Sequence, residues 1–348
     1  MKKFIIKGAI FILPIIFLQV YTMLFYTTLK GDLFRLGYIV DNSDYRYIFK
    51  EEFERDIYFT NISDINLNSQ YEYTVLTIGD SFSEQKGSGY QNYLAKNDSI
   101  KIIHFDRFLN NNPIQTLYGI LNGDFFNNIN VDYVVLQSIE RAFVKRTKKI
   151  DTKKIILIDS LIKEIKGHKF NLNKEGLSDK LFSDRIFKFP LYNILYFLDD
   201  NAYVSQTYRV NTKENLFSVN KNELLFYFGD LENMKINNDL ESVFNLNKEL
   251  NNLSNKLKEK GIKLIVLPSP DKLDFYYDYI VDNKKYPKPL FFEHLEKMPK
   301  DYLFVNSKQI LSGEMKNKKD IYFYDDTHWS PWASQIIAGE LSKIINKG

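Results

Sequence analysis

Tyr73-Thr74-Val75-Leu76-Thr77-Ile78-Gly79-Asp80-Ser81-Phe82-Ser83 is the stretch that decides the fold. Its first six residues are β-branched, aromatic or aliphatic, as in a buried strand, and the Gly-Asp-Ser that follows has turn chemistry. The next residues can be helical through Leu94, so the stretch reads strand, tight turn, helix. Open α/β sheets collect ligands beyond the carboxyl ends of their strands, and a helix N-terminus favours negative charge. Ser81 therefore stands where a nucleophile would, with its own N–H a candidate oxyanion donor. The plainer alternative makes Asp80 or Ser81 an N-cap.

Working outward, Ile102-Ile103, Tyr133-Val134-Val135-Leu136 and Leu264-Ile265-Val266-Leu267 are further apolar runs, each beside a helical pattern. They predict buried parallel strands in a doubly wound, three-layer α/β fold, a mostly parallel sheet flanked by helices. Helices are expected over about 113–128 and 237–260, the second capped by Gly261. Segment 145–236 breaks the rhythm. It holds the run Asp184 to Tyr192 and a possible strand at Leu224 to Phe228. It reads as an insertion into a 71–348 domain, either a lid or acceptor-binding element or scaffold with a docking face. Residues 30–70 read as a stalk and lead-in.

A second chemical signal lies far down the chain, at Asp325-Asp326-Thr327-His328-Trp329, between Tyr322-Phe323-Tyr324 and a helix expected from Ser330-Pro331. Serine needs a base to take its proton, and that base needs a third group to fix its tautomer. In an extended strand-to-helix loop, residues two apart project to one side, so Asp326 can hold one ring nitrogen of His328 while the other faces Ser81. Asp325 is the competing orienter. The alternative makes His328 a surface residue and Trp329 a core anchor. The other histidines, His104, His168 and His294, have no carboxylate so placed.

With these residues in view, the chain resembles the SGNH (GDSL-type) hydrolase superfamily, and within it the AlgX/AlgJ-like polysaccharide O-acetyltransferases of bacterial envelopes. Gly79 to Ser83, Gln137-Ser138-Ile139-Glu140-Arg141, Pro268-Ser269-Pro270-Asp271-Lys272 and Asp326-Thr327-His328-Trp329 carry the resemblance, which covers residues 70–145 and 237–348. The D-T-H-W ending is typical of the acetyltransferase branch and favours Asp326 over Asp325. The motif order, serine first and histidine last, is the ordinary SGNH order and not that of the alginate proteins. The glycine and Gly-x-Asn-Asp blocks that complete the oxyanion hole are not evident. Asn110-Asn111-Asn112 and Gln137 to Arg141 stand in their places. The resemblance thus implies an SGNH-like (flavodoxin-like) fold, a Ser81–His328–Asp326 triad, and Asp80, Asn112, Arg141 and Trp329 as oxyanion or substrate candidates. For Arg141 a structural ion pair is the alternative.

At the start of the chain, residues 8–29 are uncharged and mostly apolar, preceded by Lys2, Lys3 and Lys7. That is long enough for a single transmembrane anchor, with residues 1–7 cytoplasmic and the catalytic domain in the periplasm or outside the cell. A cleaved signal peptide is the alternative. The chain has no cysteine, and its four histidines form no HExxH, so neither a thiol nucleophile nor a catalytic metal is expected, and no cofactor. A net charge of +3, from 47 basic and 44 acidic residues, carries no nucleic-acid footprint.

The resemblance, taken with the anchor, implies a membrane-anchored O-acyltransferase, most simply an O-acetyltransferase, acting through an acyl-serine on a hydroxyl of an exported or envelope polysaccharide. The resemblance implies a multi-spanning membrane O-acyltransferase as supplier of the acyl group. An esterase or deacetylase would use the same triad with water as acceptor, and a noncatalytic envelope scaffold or glycan-binding subunit is the third reading.

Overall fold

Val75, Tyr133, Val135, Ile265 and Leu267 bury into one hydrophobic cluster, while Leu76, Ile78, Val134, Leu136, Leu264 and Val266 bury into another. Successive strand residues point to opposite faces, so the alternation means a sheet covered on both sides. The structure is a computed structural model that describes residues 2–26, 30–40, 49, 53–54, 56–98, 100–172, 185–199, 206–219 and 222–347. Residues 27–29 of the expected anchor lie outside the described residues. So do 41–48, 50–52 and 55 of the lead-in, and 173–184, 200–205 and 220–221 of the expected insertion.

The strands are β1 (Thr60–Asn61), β2 (Tyr71–Ile78), β3 (Ile102–Phe105), β4 (Ile129–Ile139), β5 (Thr207–Asn211), β6 (Glu223–Tyr227), β7 (Lys263–Ser269) and β8 (Leu303–Phe304). Six form a parallel sheet in the order β1-β3-β2-β4-β7-β8, and β5 pairs antiparallel with β6 apart from it. The chain leaves β2 towards β3 on one side and returns to β4 on the other. The carboxyl ends of β2 and β4 therefore flank the switch point where such sheets bind ligands.

Helices flank the sheet: α1 (Lys2–Phe25), α2 (Asp32–Gly37), α3 (Tyr90–Asp98), α4 (Pro113–Asn122), α5 (Glu140–Thr147), α6 (Arg185–Leu198), α7 (Leu240–Lys258) and α8 (Pro331–Lys347), together with the helices Ile158–Leu172 and Ser307–Glu314 and several shorter helical segments. The expected 113–128 helix is two pieces. A Cβ on Gly123 would lie 1.9 Å from the Ile156 carbonyl oxygen, so the chain passes too close there for a continuing helix with side chains. The expected 237–260 helix starts at Leu240, because the Asp239 side chain accepts from Ser242 N–H. It ends at Lys258, two residues short of expectation, and Gly261 follows the end with a φ of +78° that suits glycine.

After β2 the continuous helix expected through Leu94 is replaced by single 3₁₀ turns at Ser81–Ser83 and Lys86–Ser88, with α3 beginning only at Tyr90. Lys86 takes φ 51°, and a Cβ on Gly87 would sit 2.1 Å from the Glu54 carbonyl oxygen, so a straight helix does not fit. The Tyr322–Tyr324 segment also differs from expectation. It makes only an isolated bridge, Tyr322 with Trp329, so the histidine loop is a hairpin folded on itself.

Among the described residues α1 is the helix long and apolar enough to cross a membrane, by length and composition over Lys7–Phe25. It ends short of Leu29. Residues 32–37, read from sequence as part of the lead-in, form α2, whose Leu33 and Phe34 are buried in the main core.

Candidate active site

Strand register builds the serine turn. Ile78 pairs with Leu136, which places Gln137 beside Gly79. Gln137 Oε1 accepts from Asp80 N–H at 3.0 Å and from Ser83 Oγ at 3.1 Å, and its Nε2 donates to Ser269 Oγ at 2.9 Å. One amide thus ties together the ends of β2, β4 and β7. A Cβ at residue 79 would fall 2.2 Å from Ser83 Oγ and 2.5 Å from Gln137 Oε1, so only glycine fits. Asp80 has a structural role: it accepts from Phe82 N–H at 3.2 Å and Ile139 N–H at 2.7 Å, and pairs with Arg146 at 2.7 Å. Burial would raise its pKa, but the Arg146 charge and these hydrogen bonds outweigh burial and hold it below the ordinary value.

The histidine loop is held just as tightly. Asp326 Oδ1 lies 2.6 Å from His328 Nδ1 and accepts from His328 N–H at 3.1 Å, an Asx-turn that sets the ring against its carboxylate. The local turn, not an extended backbone, brings the two together. Asp325 faces elsewhere and accepts from Gly31 N–H at 2.7 Å. Lys272, fully buried, donates to the carbonyl oxygens of Phe323, Tyr324 and Asp326 at 2.6, 2.7 and 3.1 Å. Burial pulls its ammonium down to about 7, against the opposing pull of Asp325, Asp326 and Asp32. From the other side comes Asp32, the first residue of α2. Its carboxylate accepts from Thr327 N–H at 2.7 Å and Thr327 Oγ1 at 2.6 Å and lies 3.9 Å from His328 Nδ1. Low-polarity surroundings and the neighbouring Asp326 charge push Asp32 up to about 6.

Ser81, Asp326 and His328 line one cavity of about 320 Å³, with Glu84, Arg107 and Phe323 among its other walls. The His328 ring packs 4.7 Å from the Phe82 ring, and its Nε2 is buried with no hydrogen-bond partner. Ser81 lines the same cavity without a hydrogen bond to His328 Nε2. Burial would lower the His328 pKa, but the charge and hydrogen bond of Asp326, with Asp32 beyond, raise it above its ordinary value. A larger cavity, about 700 Å³, lies elsewhere, at the amino ends of β7 and β8.

Three other candidates take structural places. Asn112 is the N-cap of α4, accepting from Ile114 and Gln115 N–H while its Nδ2 donates to the Arg146 carbonyl. Its neighbour Asn110 reaches the serine turn instead, donating to the Gly79 carbonyl at 2.9 Å. Arg141 pairs with Asp271 at 2.8 Å and Asp230 at 3.1 Å, and Trp329 is buried edge-on to Phe82, a core anchor. None of Asp80, Asn112, Arg141 or Trp329 lines the cavity. Asp32 and Lys272 are the contributors that chain position concealed: Asp32 sits in the segment read as a stalk, and Lys272 was visible only as part of a motif. Asp32, Asp326 and His328 could hold a metal, their donor atoms lying within 4.8 Å of one another, but two are already committed, Asp32 to Thr327 and Asp326 to His328.

A doubly wound sheet carries Ser81 after its first long strand, and an aspartate–histidine pair on a C-terminal loop lines the same cavity. Residues 225–348 match the family described as SGNH hydrolase-like domain, acetyltransferase AlgX. The match supports the AlgX-like branch and an enzyme of acyltransferase or esterase type. It contains Lys272, Asp326 and His328, while Ser81 and Asp32 lie outside it. No curated protein and no solved structure matches the chain.

Proposed function

We propose that the protein is a membrane-anchored O-acyltransferase, most simply an O-acetyltransferase, that modifies a hydroxyl of an exported or envelope polysaccharide. The observation that carries this reading is the shared cavity of Ser81, Asp326 and His328, together with the buried and unpartnered Nε2 of that histidine. Ser81 Oγ attacks the carbonyl carbon of an acyl donor as its proton passes to His328 Nε2. The Ser81 N–H, first of its turn and so without a partner within it, is placed to donate to the oxyanion. Collapse expels the donor's leaving group, which takes the proton from His328. A sugar hydroxyl then gives its proton to His328, attacks the acyl-serine, and leaves as the ester while Ser81 is restored. Asp326 keeps the ring in the tautomer that presents a basic Nε2.

The short path from α1 to the site favours an acyl donor supplied at the membrane by a multi-spanning O-acyltransferase. Six residues lie between Phe25 and Asp32, at most about 25 Å of chain. The test uses the full chain in nanodiscs with an activated acetyl ester, with and without oligosaccharides, while mass spectrometry follows Ser81 and the sugars. Acetyl-Ser81 and acetylated sugar, both absent in Ser81→Ala, are expected. Acetate release with every acceptor left unmodified would make the protein an esterase, and failure of any acyl-serine to form would make it a scaffold.

The pH profile gives an independent check. Deprotonated His328 is the active base, so kcat/KM for acetyl-ester cleavage should rise with pH through an apparent pKa above 6.5. In Asp326→Asn the largest upward influence on His328 is gone while burial remains. The rising limb should move to lower pH, with the plateau reduced by about 10⁴-fold. A limb that stays in place would remove Asp326 from the proposed triad.

A further inference from the structure

Helix α6 has 14 residues, about 21 Å, too short for the roughly 30 Å hydrocarbon core of a bilayer. Its inward side carries Ile186, Phe189 and Tyr196, all buried. Phe189 packs on the C-terminal end of α1, its ring centroid 5.8 Å from that of Tyr21 and 5.5 Å from that of Tyr26, and Thr22 Oγ1 donates to the Ile186 carbonyl. The opposite side is apolar and uncovered among the described residues. Phe187, Leu191, Ile194 and Leu198, spaced by four, three and four, form one stripe with Phe197 beside it. Phe197 is 90 % exposed, Leu198 74 % and Ile194 60 %. Lys188 is the sole charged residue between Ile186 and Leu198.

We infer that α6 is an interfacial helix, lying in the lipid headgroup region beside the α1 span with its Phe187–Leu198 stripe among the acyl chains. The inference rests on α1 crossing the membrane, as proposed above. A contiguous apolar stripe of this kind marks an interaction surface, and two features select lipid as its occupant. First, it continues the exposed apolar surface of α1, where Met23 and Leu24 face outward next to the Tyr21–Phe189 contact. Second, Tyr21, Tyr26, Tyr38 and Tyr192 gather at the junction of the two helices, with Tyr38 and Tyr192 stacked at 4.8 Å, as aromatic side chains do at a membrane–water boundary. Lys188 has the long stem that lets an ammonium rise from apolar surroundings to the headgroups. Two attachments, one spanning and one lying flat, would fix the orientation of the domain relative to the membrane.

The absence of cysteine from the chain makes the test clean. Single Phe197→Cys, Ile194→Cys, Phe17→Cys and Leu240→Cys variants of the full chain carry a polarity-sensitive fluorophore in nanodiscs. Quenching by nitroxide-labelled lipid is compared with quenching by aqueous iodide. Lipid quenching several-fold above background is expected at 194 and 197, shallower than at 17 on α1, with 240 quenched by iodide alone. Lipid quenching at 17 together with iodide quenching at 197 would overturn the inference and leave the anchor standing. Water exposure at 17 as well would overturn both. Shielding of 197 only when a second membrane protein is present would replace lipid by a protein partner and likewise overturn it.

Discussion

Ser81→Ala and His328→Ala should each lower turnover by about 10⁴- to 10⁶-fold, and the double variant should lose no more than the worse single one. The two side chains perform one act, creation of an alkoxide-like nucleophile, and an act already abolished cannot be abolished again. Folding should survive both changes. Ser81 lies on the cavity wall, and the His328→Ala protein keeps the backbone N–H that donates to Asp326 Oδ1 at 3.1 Å. Acetyl-ester turnover and thermal unfolding of the four proteins, wild type included, decide the matter. If the double variant shows the product of the two single losses, the residues act independently and the triad is wrong. If Ser81→Ala keeps wild-type turnover, the serine is no nucleophile, and Asp80 and Ser81 are merely the cap of a tight turn.

The sheet was legible because its signals are local and periodic. Val75, Tyr133 and Leu264 sit in apolar runs whose alternation survives intact as two buried faces. Ser81, Asp326 and His328 could be singled out because acyl transfer demands those residue types in turns after buried elements, and the structure brings all three to one cavity. What remained hidden depends on long-range contact. Asn112 looks like a polar residue at a strand end whether it binds substrate or caps α4, and only the position of Ile114 and Gln115 N–H distinguishes these. Arg141 likewise gives no local sign that Asp230 and Asp271 will surround it. Asp32 is the clearest case. Nothing within residues 25–40 says that this aspartate will meet Thr327, 295 positions away. The continuous helix expected after Ser81 failed for the same reason, since Gly87 is required by the approach of Glu54 and not by its own neighbours.

Gly31→Ala, a change of one methyl group remote in sequence from every catalytic residue, should reduce kcat by about 10²-fold, the scale of a 1 Å misplacement of reacting groups. A Cβ at residue 31 would lie 2.0 Å from the Asp325 carbonyl oxygen and 2.4 Å from its carbonyl carbon. Those are backbone atoms of the loop that carries Asp326 and His328, and Lys272 holds that loop from behind, so it cannot retreat. Instead α2 must lift away. Lifting breaks the bonds from Gly31 N–H to Asp325 Oδ2 and from Leu33 N–H to the Asp325 carbonyl, and those joining Asp32 to Thr327. At about 1 kcal/mol each, their loss should lower unfolding stability by roughly 2–4 kcal/mol. Gly313→Ala is the matched control: its Cβ would meet nothing within 4 Å, so helix propensity alone should apply, a gain of about 0.5–1 kcal/mol with turnover unchanged. Chemical denaturation and acetyl-ester kinetics on the two variants separate the effects. Normal kcat in a destabilised Gly31→Ala protein would mean that α2 merely packs against the site. A parallel loss of both would mean that the segment following α1 positions His328, tying the proposed chemistry to the helix proposed as the anchor.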